Sequence, residues 1–394
     1  MNIAQVTTAL PPDPGSTGTV VWHTSRALAA RGHDVTVFTA RVTTPAESSD
    51  RGGDEPFSIE RLRAGFRPGH AAAVTGLPGR LREFDVVHLH YPFIGGAGAV
   101  DAGARRRAYP LVLTYHGRPR AHGGIRQSLF QAYERIIKPR VLKGATVLVA
   151  VDEECRRTDL RAWADVRVLP NGVDPTLFAP RDRQRARRAL GIRTWDRVAL
   201  VVGVPDAHYR FNQMDGLVRG LAKLDPASKF LVTGGGAPSG SLPSLVRRAG
   251  LEGRVIFLGQ KAPEALSAIY SAADVTVVPS SDTESAELVL LESLACGTPV
   301  LAPARPGLVA LVGDGGWLVP PGVDGALQDG LQAVFALPRA ELRSMGMLAG
   351  QRIRQQLTWE KVAAQTEALY QEAMARTADS KVDTPPSGPL PQGL

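Results

Sequence analysis

Short apolar runs alternate with longer stretches of helical periodicity through most of the chain. Residues 3–7, 34–40, 86–90, 111–115 and 147–151 are each too short for a helix, and most lack a regular polar face. That pattern suits strands buried on both sides. Helical stretches over residues 20–31, 97–107 and 127–142 separate them. The alternation predicts a parallel sheet with crossover helices.

The segment Val166-Arg-Val-Leu-Pro-Asn-Gly-Val-Asp174, followed by Phe178-Ala-Pro180, is rich in turn formers and ends this first series. A second series begins directly after it, with strand patterns at residues 198–203, 230–234, 255–259, 275–278, 300–303 and 317–319. A chain of 394 residues exceeds one compact core and calls for two or three domains. The predicted fold class is therefore α/β, with two doubly wound Rossmann-like domains facing a central cleft. Residues 1–168 form the first domain and 169–355 the second. An amphipathic closing helix follows over 356–376, and residues 377–394, rich in proline with little to bury, read as a disordered tail. Ligands of such sheets bind at the carboxyl ends of the strands.

Charge adds one feature. The 46 Lys and Arg against 38 Asp and Glu give a net charge of +8, and arginines cluster at 105–107, 118–126 and 181–188. Such clusters suit a solvated face, a phosphorylated ligand or peripheral contact with an anionic membrane surface. No zinc-ligand spacing or aromatic interleaving accompanies them, which argues against nucleic acid as a partner. Cys155 and Cys296 belong to no pair motif, as expected in a reduced cytoplasm. The N-terminal residues lack the basic start and apolar stretch of a leader, and no run is long enough to cross a membrane.

The chemistry concentrates in Pro279-Ser-Ser-Asp-Thr-Glu-Ser-Ala-Glu-Leu-Val-Leu-Leu-Glu-Ser-Leu-Ala-Cys-Gly-Thr-Pro-Val300. The apolar run 288–291 predicts a buried helix that stops at Gly297-Thr-Pro299. Glu292 falls inside this helix and Glu284 in the turn before it, roughly 12 Å apart by helical rise. Each carboxylate accepts two hydroxyl hydrogen bonds, so one can hold a sugar and the other a ribose. The helix N-terminus between them offers backbone N–H groups to a diphosphate. Two further features would line such a site. Gly15 and Gly18 sit in the loop Pro11-Pro-Asp-Pro-Gly-Ser-Thr-Gly-Thr19, where backbone N–H groups can approach a ligand closely. His116 follows the strand pattern 111–115, and His88 and His90 alternate with apolar residues as structural groups within a strand.

Together, the strand Asp274-Val-Thr-Val-Val278, the paired Glu residues, Ala295-Cys-Gly-Thr-Pro299, Asp85-Val-Val-His-Leu-His90 and Pro170-Asn-Gly-Val-Asp174 resemble the retaining family 4 glycosyltransferases. The resemblance covers nearly all of residues 1–375. It implies the GT-B fold, with an acceptor-side first domain and a donor second domain, and transfer of a sugar from a nucleotide diphosphate with retention at the anomeric carbon. By the same resemblance Glu284 contacts the donor sugar, Glu292 the ribose and His116 the donor near its reacting carbon. Leu288, Gly15 and Gly18 complete the donor-binding set, and the leaving phosphate itself helps deprotonate the acceptor hydroxyl. The nucleotide-diphosphate sugar is a co-substrate, and no other cofactor is implied. No Asp-x-Asp pair occurs, so a metal-independent reaction is expected. The acceptor expected is a small natural-product intermediate or a lipid-linked glycan.

The chain departs from the family pattern at the diphosphate. Two cations usual there are replaced by Gly203-Val204 and Asn212-Gln213, Glu-Gly-aromatic-Gly has become Glu284-Ser-Ala-Glu287, and a loop glycine has become Ser16. Each donor lost from developing charge commonly costs about a hundredfold. Arg210 is the first candidate to return a cation to the diphosphate, and Arg118 is another. A non-catalytic binding protein or subunit on the same fold is the alternative reading, and a nucleotide-sugar epimerase is a third, without a specific acid–base pair to support it.

Overall fold

A computed structural model describes residues 1–11, 15–40, 55–62, 76–106, 109–117, 124–203, 211–234, 241–279 and 284–382. The chain divides into two compact units, one of residues 1–170 and the chain from Val362 onward, the other Asn171–Lys361.

Among the described residues, the first unit holds seven parallel strands: β1 (Asn2–Thr7), β2 (Asp34–Ala40), β3 (Ser58–Leu62), β4 (Val86–Tyr91), β5 (Leu111–Tyr115), β6 (Val147–Ala150) and β7 (Val166–Val168), in the order β3-β2-β1-β4-β5-β6-β7. Those of the second hold six, β8 (Arg197–Val202), β9 (Ser228–Thr233), β10 (Val255–Gly259), β11 (Val275–Val277), β12 (Val300–Pro303) and β13 (Gly316–Val319), ordered β10-β9-β8-β11-β12-β13. Both sheets are doubly wound. The order reverses between β1 and β4 in one and between β8 and β11 in the other, and a crevice opens at the carboxyl ends of such neighbours.

Two strands depart from expectation. Ser58-Ile-Glu-Arg-Leu62 pairs with β2 at a sheet edge, where only Leu62 is buried and no apolar run is needed. Val166–Val168, read above as part of a turn-rich boundary, is a strand paired with β6. The chain passes to the second unit just after it, at Asn171.

Alternation along β8 separates two apolar layers of the second unit. Val198 and Leu200 pack in one with Leu290, Leu291 and Leu294, while Ala199 and Val201 pack in the other with Leu217 and Phe230. The polypeptide enters and leaves this unit side by side. Val173 N donates to Leu357 O at 2.8 Å and Trp359 N to Val173 O at 3.3 Å. A Cβ on Gly172 would lie 2.8 Å from Trp359 N, so only glycine permits this approach.

The last helix runs Trp359–Val382, longer than the expected closing helix and well into the segment read as a disordered tail. Its extension is held by Arg376, which donates to Asp165 Oδ2 at 2.6 Å and to Glu372 Oε1 at 2.5 Å, and by Thr377 Oγ1, which donates to Ala373 O at 2.8 Å. The remainder of the predicted tail, 383–394, lies outside the described residues.

Part of the 181–188 arginine cluster is internal rather than a solvated face. Arg187, 3% exposed, donates to Asp274 Oδ2 at 2.8 Å and to the carbonyls of Ala272, Arg193, Thr194 and Asp196. Arg183 donates to Asp274 Oδ1 at 2.5 Å, and Val198 N to Asp274 Oδ2 at 2.8 Å. Burial pulls the Arg183 guanidinium down to about 10 despite the opposing attraction of Asp274. A buried pair deprived of one partner leaves an uncompensated charge. Asp274→Ala is therefore expected to destabilise the second unit by about 3 kcal/mol in urea denaturation. A loss below about 1 kcal/mol, the scale of an exposed pair, would show that the cluster does not hold the unit together.

Candidate functional site

In the second unit, the sequence motif becomes the helix Glu284–Ala295, which follows β11 and so begins beside the strand-order reversal. Glu284 is its first residue, not the turn before it. The side chain of Glu284 lies outside the described residues. Leu288 is half-buried on the helix, while Leu290 and Leu291 are fully buried.

Glu292 is half-buried, and its Oε2 accepts the Tyr270 hydroxyl at 2.7 Å. The protein packed around it pushes its carboxyl up to about 7, with the Tyr270 hydrogen bond acting in the opposite direction. Tyr270 is itself fully buried on the helix Pro263–Ala272, edge-on to Phe178 with ring centroids 6.2 Å apart. The Cys-Gly-Thr-Pro stop secures this arrangement. Gly297, at φ 76°, turns the chain, and Thr298 Oγ1 donates to the carbonyl of Tyr270 at 2.7 Å. One short motif thus ends the helix bearing Glu292 and fixes the helix bearing its partner.

Glu287, which stands where the family pattern has glycine, is buried. It is 4% exposed, and its Oε2 accepts Asn171 Nδ2 at 2.9 Å. The added carboxylate is thereby tied to the Pro170-Asn-Gly-Val-Asp174 segment. In the same segment Asp174 Oδ1 accepts Thr176 N at 2.9 Å and Leu177 N at 3.2 Å. The sequence offers Asn171 as part of a turn and of a family segment, without a role for its side chain, and nothing local marks Tyr270 as the partner of a carboxylate 22 positions away.

Arg210, Arg118 and Val204 lie outside the described residues, and Asn212 and Gln213 fall on the helix Phe211–Lys223 with side chains also outside them. Gly203, at φ 85°, ends β8 with its N–H donating to Thr233 O at 2.8 Å.

In the first unit, Gly15 precedes the helix Ser16–Ala30 with φ 155°, a conformation that favours glycine. Gly18 is buried inside that helix. A Cβ there would stand 2.8 Å from Ala9 O, so its glycine lets the helix close on the loop after β1. His116 follows β5, and its N–H donates to Tyr91 O at 2.9 Å, extending the ladder between β4 and β5. Its Nε2 stands 2.9 Å from His90 Nδ1. His90 and His88, together with Gln5 of β1, are buried on one face of the sheet, and Tyr370 of the last helix covers them.

These sites carry the features by which the chain compares with known proteins. The model of Glycosyltransferase Family 4 matches residues 17–177, and that of Glycosyl transferases group 1 matches residues 182–346. A D-inositol 3-phosphate glycosyltransferase of Corynebacterium aurimucosum is 32% identical over 92% of this chain and 92% of its own. One of Actinosynnema mirum is 34% identical over 77% of this chain and 79% of its own. Among solved structures, sucrose-phosphate synthase from Thermosynechococcus elongatus superposes with a TM-score of 0.76 at 26% identity, covering 95% of this chain and 99% of that one. Anabaena HepE in complex with UDP and glucose gives 0.75 at 18% identity, covering 94% and 99%. With both halves matched and one relative aligned over 92% of each chain, the chain belongs to the family 4 glycosyltransferases and has the GT-B fold.

Proposed function

We propose that this glycosyltransferase moves a hexose from a nucleoside diphosphate to an acceptor hydroxyl with retention at the anomeric carbon and without a metal ion. The observation that carries the reading is Glu292. A half-buried carboxylate, oriented by the fully buried Tyr270 on a helix beside the strand-order reversal, is built to accept hydroxyl hydrogens. Glu284 at the start of the same helix holds the sugar, with Leu288 beside it, and the first amides of the helix meet the diphosphate together with Arg210. His116 contacts the donor near its reacting carbon, and the Gly15–Gly18 loop contributes backbone. Metal independence is supported by the lack of any Asp-x-Asp pair in the sequence. Retention follows from the family resemblance, the leaving phosphate accepting the proton of the acceptor hydroxyl as that hydroxyl attacks the same face.

The acceptor is a small natural-product intermediate or a lipid-linked glycan. The relatives named for D-inositol 3-phosphate make a phosphorylated cyclitol the first to assay. Action in the cytoplasm, with peripheral contact at a membrane surface, fits the basic clusters. Among the described residues no helix is long and apolar enough to cross a membrane. A non-catalytic role draws no support from Glu287, whose carboxylate is engaged by Asn171.

Calorimetry with nucleoside diphosphates and their sugar conjugates tests the donor assignment. UDP-glucose leads the panel because HepE is seen with UDP and glucose. Binding is expected to be equal with magnesium and with EDTA, and Glu284→Ala is expected to weaken binding of the sugar conjugate about tenfold while sparing the free diphosphate. Binding that vanishes in EDTA would overturn metal independence, and equal loss for both ligands would move Glu284 away from the sugar.

The raised carboxyl of Glu292 makes a separate prediction. Its value rises from 4.5 to about 7 on folding, so the folded state holds the extra proton and stability falls as pH rises between those values. The cost is absent near pH 4 and complete above about 7. Glu292→Gln is expected to stabilise the protein at pH 8 by on the order of 1–3 kcal/mol and to have little effect at pH 4. The same variant is expected to weaken nucleotide binding at pH 8 about tenfold, because the amide offers fewer acceptors to a ribose. Melting curves at the two pH values, with nucleotide titrations at pH 8, check both. A variant that stabilises without losing affinity would show that Glu292 does not touch the nucleotide.

A further inference from the structure

A continuous run of hydrogen bonds crosses the buried face of the first sheet. His116 Nε2 stands 2.9 Å from His90 Nδ1, and His90 Nε2 is 2.7 Å from Gln5 Oε1. Gln5 Nε2 donates to the Tyr370 hydroxyl at 2.8 Å. That hydroxyl stands 2.8 Å from His88 Nδ1, and His88 Nε2 is 2.7 Å from Thr114 Oγ1. Gln5, His88, His90 and Tyr370 are each no more than 2% exposed.

The direction of every proton in this run follows from the Gln5 amide. Its Oε1 can only accept, so His90 carries its proton on Nε2. Burial pulls the His90 imidazole well below its ordinary value, and the ring is therefore neutral with a bare Nδ1. A bare Nδ1 can only accept, so the proton between His90 and His116 belongs to His116 Nε2. On the other side, the Tyr370 oxygen already accepts from Gln5 and turns its own proton to His88 Nδ1. His88, pulled down to about 3 mainly by burial, is neutral as well and donates from Nε2 to Thr114. Five hydrogen bonds thus point one way, from His116 to Thr114. An inverted amide would reverse all five and move the His116 proton to Nδ1.

We infer that Gln5 and Tyr370 are positioning residues for His116: acting through His90, they hold it as the Nε2–H tautomer and present Nδ1 as an acceptor. Such a ring takes a hydrogen bond from a sugar hydroxyl. The reactive geometry of one loop residue is thereby set from the last helix of the chain. The effect on turnover rests on the placing of His116 at the donor sugar proposed above, whereas the tautomer does not.

Long-range proton–nitrogen NMR on protein labelled with 15N-histidine reads the tautomer directly. In the wild type, His116 is expected to show a protonated Nε2 and a bare Nδ1. Tyr370→Phe deletes one hydroxyl, frees the Gln5 amide to invert, and is expected to give His116 as a mixture of tautomers at an almost unchanged Tm. Gln5→Leu removes the acceptor of His90 and provides the same test if Tyr370→Phe fails to fold. Turnover is expected to fall by about tenfold or more in either variant, since an imidazole held in the wrong tautomer loses its role. A wild-type His116 protonated at Nδ1, or a tautomer unmoved in both variants, overturns the relay and leaves the reading of His116 as a donor contact standing. Full turnover in His116→Ala, with the tautomer shift intact in Tyr370→Phe, overturns that reading and with it the positioning role.

Discussion

A parallel sheet admits no hairpins, so every strand of each unit ends on the same edge and every return passes through a crossover. This constraint organises the molecule. In the first unit it brings the ends of β1, β4 and β5 to one edge, and with them the loop to Gly15, the His90–Tyr91 pair and His116. In the second it sets the Glu284–Ala295 helix directly after β11, next to the end of β8. Crossover helices cover both faces and leave the strands buried, so polar groups on those strands must find partners within the protein.

Three buried polar arrangements answer that demand in different ways. Asp274 is surrounded by Arg183, Arg187 and a backbone N–H, so its charge is compensated where it stands. The buried run from His90 to Thr114 avoids charge, burial keeping both imidazoles neutral and each donor matched to an acceptor. Glu292 has the Tyr270 hydroxyl but, among the described residues, no cation acting on it, and burial pushes its carboxyl upward. A group held with its charge incompletely satisfied is what a ligand rewards, and such groups gather at functional sites. The same comparison sets Glu287 apart, because its carboxylate is drawn inward by Asn171.

Most of the architecture was legible in the apolar runs. Both missed strands fail that test for a physical reason: Ser58–Leu62 is an edge strand with a polar face, and Val166–Val168 spans three residues that are largely exposed. The site was legible where chemistry and local structure coincide. The helix bearing Leu288 and Glu292 and its stop at Gly297 could be placed by periodicity and turn residues, but its start at Glu284 could not. Nor could its environment. That Tyr270 orients Glu292, that Asn171 claims Glu287 and that Tyr370 reaches Gln5 all depend on residues distant in sequence, and no local pattern carries them. The histidines of β4 show the same limit: alternation placed them on one face, but only packing revealed what that face is joined to.

The first unit is assembled from both ends of the polypeptide, with Gln5 and Tyr370 separated by 365 positions. On a ribosome the strands of that unit emerge first, yet the helix that seals them is made last, after the entire second unit. During that interval Gln5 and His88 are without the Tyr370 hydroxyl that partners them in the folded protein. At about 5–20 residues per second the wait lasts on the order of ten seconds or more. The order of synthesis therefore withholds the His116 relay until the second unit has been made, and a chain cut short before Tyr370 would carry both family motifs without it.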